Sequence, residues 1–338
     1  MRVPAERILI VLLGAIGDVT RALPLAQRVR HGYPGARIVW AVEPAAAGVL
    51  QHHGAIDEVL VFDRMGWARA VVPFLRRVRA GRPELTLDLQ CHLKSGVISW
   101  ASRAPVRLGF HRRNSREGNW MFNTHHVPPM PHFSSKLEQF LQFADWLAVP
   151  SVPVTFGLEP TTEEARRVEQ LLRDVPRPFV AAFVGSSCES RLWFPDRTAA
   201  VADALAARGC ATVLVGGPGD VAFAEAVVGQ VRHAVTNLVG RTTLRDLVGI
   251  FQRARLAWGP DSGPMHLAAA SGVRVVSLWG ATSATRSAPW GSGDGVIEGA
   301  APCRPCYLKR CPIGRLCMEP ISVDAVLARI HAMSSTAT

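Results

Sequence analysis

Gly259-Pro-Asp-Ser-Gly-Pro-Met-His266 places two chain breakers, a hydroxyl, a carboxylate and an imidazole between an apolar run and an Ala-rich one. The spacing predicts a strand over Leu256–Trp258, a tight loop, and a helix with Pro264 in its first turn and Gly272 past its end. Backbone N–H groups at Ser262 and Gly263 then face the positive end of a helix dipole, which suits an anion. Asp261 and His266 stand on the rim of that cup, an acceptor and a proton-bearing donor. A phosphate carrying a polyhydroxyl group is the ligand such a site fits.

Three other loops have related chemistry. Leu13-Gly-Ala-Ile-Gly-Asp18 lets the backbone turn close to a ligand and ends on a carboxylate. Asp18 reads either as an N-cap or as a general base. Gly185-Ser-Ser-Cys-Glu-Ser-Arg191 joins Ser186 and Ser187 to an arginine suited to clamp phosphate oxygens, or is a solvated turn with Trp193 in the core. Gly216-Gly-Pro-Gly-Asp220 admits a flat ligand, with Asp220 toward a ribose hydroxyl or base edge, and is equally consistent with a plain turn. Thr282 follows the next strand in Gly280-Ala-Thr-Ser283. Each loop alone is weak; the four together favour a nucleotide diphosphate. The glycines of the first loop do not form Gly-x-Gly-x-x-Gly, so the dinucleotide fingerprint is absent there.

The elements that must position these loops alternate. Strands are expected at Ile8–Leu13, Ala36–Val42, Glu58–Phe62, Leu85–Leu89 and Val106–Gly109. Helices are expected between them at 19–31, 45–52, 67–80 and 94–102, and another at 136–147. Residues 111–134 read as a long loop. Pro150, Pro153 and Pro160 mark a linker, and the alternation resumes from Thr162. The fold class is α/β: two Rossmann-like domains, 1–150 and 151–322, with the ligand expected in the cleft between them. A last helix at Val323–His331 belongs to residues 323–338.

The 338 residues carry 48% hydrophobic and 19% charged side chains, enough for two ordinary cores. No apolar run reaches the ~20 residues of a membrane span. The start of the chain lacks the pattern of a signal peptide, so a cytoplasmic protein is expected. The formal charge of +11 suits nucleic acid, an acidic small substrate or anionic lipid. No nucleic-acid module or aromatic–basic interleaving accompanies it, so no nucleic-acid partner is expected.

Leu13-Gly-Ala-Ile-Gly-Asp-Val-Thr-Arg-Ala-Leu-Pro24, Asp88-Leu-Gln-Cys-His-Leu-Lys-Ser95, Arg191-Leu-Trp-Phe-Pro195, Gly216-Gly-Pro-Gly-Asp220 and Pro260-Asp-Ser-Gly-Pro-Met-His-Leu-Ala268 resemble glycosyltransferase family 9, the lipopolysaccharide heptosyltransferases. The resemblance runs from Ile8 to beyond Cys317. It implies a GT-B fold, two Rossmann-like domains facing across a cleft, with the C-terminal helix packing back on the first domain. It also implies an inverting, metal-independent transfer of heptose from ADP-L-glycero-β-D-manno-heptose to the inner core of lipopolysaccharide, with no cofactor, at the cytoplasmic face of the inner membrane. Carried over by position, Asp18 is the base. Ser186, Ser187, Arg191, Ser262, Gly263 and His266 hold the ADP part, and Asp261 the heptose hydroxyls. Asp220 and Thr282 complete the donor set, while Lys94, Arg112 and Arg113 face an anionic glycolipid acceptor. Arg191 stands where the family commonly has lysine, and Pro260 where asparagine is frequent. A member using another nucleotide sugar, and a non-catalytic nucleotide- or nucleic-acid-binding protein, are the alternatives.

Cys303-x2-Cys306-x4-Cys311-x5-Cys317 gathers four of seven cysteines. The spacing permits a metal knot. A structural cluster outside the transfer chemistry is the expectation, with no metal in the reaction.

Overall fold

The computed structural model describes residues 3–63, 67–131 and 134–335. The chain divides into two compact units, Met1–Gly157 and Leu158–Thr338. The division falls within the proline-marked linker, between Pro153 and Pro160.

In the first unit the strands are β1 (Arg7–Val11), β2 (Arg37–Val42), β3 (Glu58–Val61), β4 (Leu85–Asp88), β5 (Val106–Gly109) and β6 (His125–His126). They form one parallel sheet in the order β3-β2-β1-β4-β5-β6. Helices α1 (Ile16–Gly32), α2 (Pro44–Leu50), α3 (Trp67–Ala80), α4 (Leu93–Ser102) and α5 (Lys136–Trp146) connect or cover them. Four of the five residues of β1 and all of β4 are buried, as strands covered on both faces must be. β6 lies inside the stretch expected to be loop. Two residues carry no periodicity, and its pairing with Leu108 and Gly109 supplies the hydrogen bonds that define it.

The second unit repeats the plan. Its strands are β7 (Phe179–Phe183), β8 (Ala211–Val215), β9 (Thr236–Asn237), β10 (Leu256–Pro260), β11 (Val275–Trp279) and β12 (Val296–Glu298). They lie parallel in the order β12-β11-β10-β7-β8-β9, which is the first sheet's order counted from β7. The helices are α6 (Thr162–Leu171), α7 (Pro195–Ala206), α8 (Val221–Val228), α9 (Leu244–Arg253), α10 (Gly263–Ala270), α11 (Ala284–Ser287) and α12 (Val323–Ser335). α6 and α9 both start with a capping box, Thr161 with Glu164 and Thr243 with Asp246.

In each unit the strand order reverses between the first and fourth strand. In such sheets, ligands bind beyond the carboxyl ends of the strands at that reversal. The loops after β1 and β4, and those after β7 and β10, therefore occupy the ligand-binding ends.

The C-terminal helix contributes to the second unit's core. α12 packs on α7, β10 and β11, and buries Val326 and Ile330 in the second unit's own core. Arg274 Nη1 donates to the Met333 carbonyl at 2.5 Å, which ties the end of the helix to the same unit. Its apolar stripe is spent there. Among the described residues no helix is long and apolar enough to cross a membrane.

Candidate active site

The second unit assembles most of the expected donor set at its reversal point. Asp261, one residue past β10, is buried; its Oδ2 accepts from Thr282 Oγ1 at 2.7 Å and lies 3.0 Å from Arg191 Nη1. Ser186 Oγ donates to the Asp261 carbonyl at 3.4 Å. Residues from the loops after β7, β10 and β11 thus meet at one carboxylate. Arg191 is carried by a short 3-10 turn, Glu189–Arg191, whose position Trp193 fixes by packing edge-on to Trp258 at 6.0 Å between ring centroids. The core role of Trp193 and the polar role of Arg191 therefore coexist.

Beside this cluster α10 begins. Ser262 is its N-cap residue, but its hydroxyl makes no capping bond and, among the described residues, has no hydrogen-bond partner although buried. Helix starts leave amides without intrahelical acceptors, and here the side chain does not satisfy them. Gly263, Pro264 and His266 lie in the first turns, with His266 buried. An anion is what this arrangement is shaped to accept.

Asp220 reaches toward the same ends from the loop after β8. Its Oδ2 accepts the Gly217 N–H at 2.8 Å, and burial pushes its carboxyl up from the usual range against that bond. A methyl group built on Gly185 would stand 1.9 Å from Oδ2, so only glycine fits there. Ser187 is exposed, its hydroxyl 3.9 Å from Cys188 Sγ, and stands outside the Asp261 cluster.

In the first unit, Asp18 sits in the first turn of α1, and Ala15 is the N-cap. The capping alternative therefore does not hold. Asp18 Oδ1 pairs with Arg21 Nη2 at 2.7 Å, one turn on, and the carboxylate is one-third exposed. The Leu13 N–H donates to Gln90 Oε1 at 2.8 Å, so the loop after β4 holds the loop that leads to Asp18. Behind Gln90, Asp88 is fully buried and accepts from Asn119 Nδ2 at 2.6 Å, Asn123 Nδ2 at 3.2 Å and the Gln90 N–H at 3.3 Å. Burial pushes its pKa up, and these donors oppose it only in part. The Cys91 thiol is raised mainly by burial; the charges of Asp88 and Asp18 add to the rise, while Lys136 and Arg116 oppose it.

Lys94, in the first turn of α4, pairs with Glu43 Oε1 at 2.8 Å. With Gln90, His92, Leu93 and Glu117 it lines an open depression of about 420 Å³. Arg112 and Arg113 are exposed in the turn at 111–114, and no carboxylate among the described residues pairs with them. Arg21, Glu43 and Gln90 were missed as site residues. The i,i+3 spacing of Asp18 and Arg21 was a readable signal. The partners of Lys94 and Leu13 lie 51 and 77 residues away and left none.

All seven cysteines are free thiols, and among the described residues no three Cys, His, Asp or Glu side chains converge as a metal site. The cysteine-bearing segment braces the loops after β7 and β11 instead. The Cys306 and Tyr307 amides donate to the Ala281 carbonyl, Arg304 to the Gly280 and Thr282 carbonyls, and Arg315 to those of Leu192 and Trp193.

Residues 71–316 match the family model for glycosyltransferase family 9 (heptosyltransferase). The lipopolysaccharide core heptosyltransferase OpsX of Haemophilus influenzae is 25% identical over 86% of this chain and 83% of its own. Among solved structures, a family 9 glycosyl transferase from Veillonella parvula aligns with a TM-score of 0.82 at 21% identity, over 99% of this chain and 98% of the other. ADP-heptose lipopolysaccharide heptosyltransferase II of Escherichia coli aligns at 0.79 and 19%, over 97% and 98%. These likenesses, with the two six-stranded parallel sheets, establish the GT-B fold. The chain belongs to glycosyltransferase family 9, the heptosyltransferases.

Proposed function

We propose that the enzyme transfers heptose from ADP-L-glycero-β-D-manno-heptose to the inner core of lipopolysaccharide, with inversion and without a metal. The observation that carries this reading is the Arg191–Asp261–Thr282 cluster beside the open start of α10. It offers a cation, a helix start without a side-chain cap and a carboxylate together, which matches a sugar diphosphate. Asp18 accepts the proton of the acceptor hydroxyl through Oδ2, since Oδ1 is held by Arg21. The acceptor oxygen then bonds to the anomeric carbon as the bond from that carbon to the diphosphate oxygen breaks. ADP departs with the electron pair, its charge met by Arg191, Ser186, Ser187 and the α10 amides; His266 donates to it. Asp261 and Asp220 address the hydroxyls of the heptose and the ribose. One displacement inverts the anomeric centre.

Lys94, Arg112 and Arg113 meet the phosphates of the acceptor, which places the enzyme peripherally at the cytoplasmic face of the inner membrane. Among the proteins this chain resembles, OpsX is named for core heptosyl transfer and the E. coli neighbour for ADP-heptose, which supports the donor. The sequence carries no Asp-x-Asp pair to hold a metal with the nucleotide. Arg191 in place of lysine motivates a second reading, another nucleotide sugar.

The test is ADP release from ADP-heptose with a heptose-deficient core acceptor. Asp18→Asn is expected to lower turnover at least a hundredfold while ADP still binds; near wild-type turnover would refute the base. Across a panel of nucleotide sugars, ADP-heptose is expected to raise the unfolding midpoint most. A larger rise with another donor would establish the second reading.

A further inference from the structure

The first unit exposes a set of large apolar side chains that its transfer chemistry does not use. Leu93 (45% exposed), Trp100 (59%), Trp120 (40%) and Met121 (65%) lie in contacting segments, α4 and the 3-10 turn Asn119–Phe122. Residues 93, 96 and 100 share one face of α4 by helical spacing. The turn crosses α4 at Gly96, where an added methyl would come within 2.9 Å of the Phe122 ring. Ser99 Oγ donates to Asn123 Oδ1 at 2.6 Å and holds the crossing in place. The four side chains therefore make one patch.

The rim of this patch is cationic. Arg103, exposed at the end of α4, donates its backbone N–H to the Trp100 carbonyl. Arg116, also exposed, accepts the Asn119 N–H on its carbonyl. Neither has a carboxylate at ion-pair distance among the described residues. Glu117, next to Arg116 in the chain, pairs with His92. Tryptophan is suited to the boundary between water and hydrocarbon, with its ring in the apolar layer and its N–H in the polar one. Unpaired arginines around such rings fit an anionic headgroup layer.

We propose that this face docks the enzyme on an anionic lipid bilayer, with Trp100, Trp120 and Met121 entering the headgroup region and Arg103 and Arg116 meeting lipid phosphates. It extends the membrane placement in the proposed function, but it depends neither on the donor nor on the transfer step.

Co-sedimentation of the full chain with vesicles tests it, without donor or acceptor. Binding is expected to vesicles of phosphatidylcholine with phosphatidylglycerol, and to fall at least fivefold on pure phosphatidylcholine. Trp100→Ser with Trp120→Ser and Met121→Ser is expected to lose at least fivefold on the mixed vesicles, and the Trp→Phe versions to regain most of it. Transfer to a deacylated acceptor is expected to be unchanged in the triple variant. If the triple variant does not fold, Arg103→Glu reads the same face and is expected to weaken binding. Leu308→Ser with Ile313→Ser, in the exposed apolar segment of the second unit, is the control and is expected to leave binding intact. The proposal is overturned if wild type ignores anionic vesicles, or if neither the triple variant nor Arg103→Glu weakens binding. Loss confined to the control, or displacement from vesicles by excess deacylated acceptor, would overturn it as well. An enzyme that binds vesicles but cannot use ADP-heptose would refute the donor reading and leave this one standing.

Discussion

Asp88 illustrates what single residues contribute behind the site. Its carboxyl is fully buried and its pKa raised by that burial, so the folded state holds the proton more tightly than the unfolded chain does. The stabilisation is complete below the ordinary aspartate value. It is lost as pH climbs from there through the raised folded value, because the unfolded chain ionises first. Thermal midpoints across that window are expected to fall more steeply for wild type than for Asp88→Asn. Subtracting one curve from the other removes the similar contribution of Asp220; parallel curves would refute the assignment. The sequence at the end of β4 made Asp88 noticeable only as part of a motif. Asn119 and Asn123, which determine its environment, sit 31 and 35 residues away. Asp18 was readable as chemistry because a carboxylate after two glycines has few local roles. Its pairing with Arg21 in place of capping was decided by where α1 starts.

At the scale of elements, the loops after β7 and β8 are locked through glycine. A side chain at Gly185 and the Asp220 carboxylate cannot occupy the same space. Gly185→Ala is expected to destabilise the protein by about 1–3 kcal/mol through overpacking and to weaken ADP binding at least tenfold. Adding Asp220→Ala should return most of the lost stability, since it removes the clash, but not the affinity. A double-mutant cycle by thermal denaturation and ADP titration reads this; additive effects would show that the two do not meet. The long elements were legible because their periodicity and caps agree, as in Leu244–Arg253 with its Thr243 capping box. The short edge strands β6, β9 and β12 were not, because two or three residues carry no pattern and only the neighbouring strand defines them.

For the whole molecule, the division after Gly157 separates chemistries as well as cores. The Arg191–Asp261–Thr282 cluster and the start of α10 all lie in Leu158–Thr338, so that unit expressed alone is expected to bind ADP and to be stabilised by it, without transferring sugar. Calorimetric titration checks this, and failure of a folded second unit to bind ADP would move the donor site elsewhere. Membership of a glycosyltransferase family sets aside the non-catalytic alternative. By itself the sequence determined the alternation of strands and helices, the two-part chain, and the loops rich in glycine, hydroxyl and charge, because each rests on neighbours along the chain. Only the tertiary structure decided that Asp261 joins Arg191 to Thr282, that Gln90 holds the Leu13 loop, and that α12 buries Val326 and Ile330 in the second core. Those contacts join residues far apart in sequence, and strand order, which no local pattern encodes, brings them together.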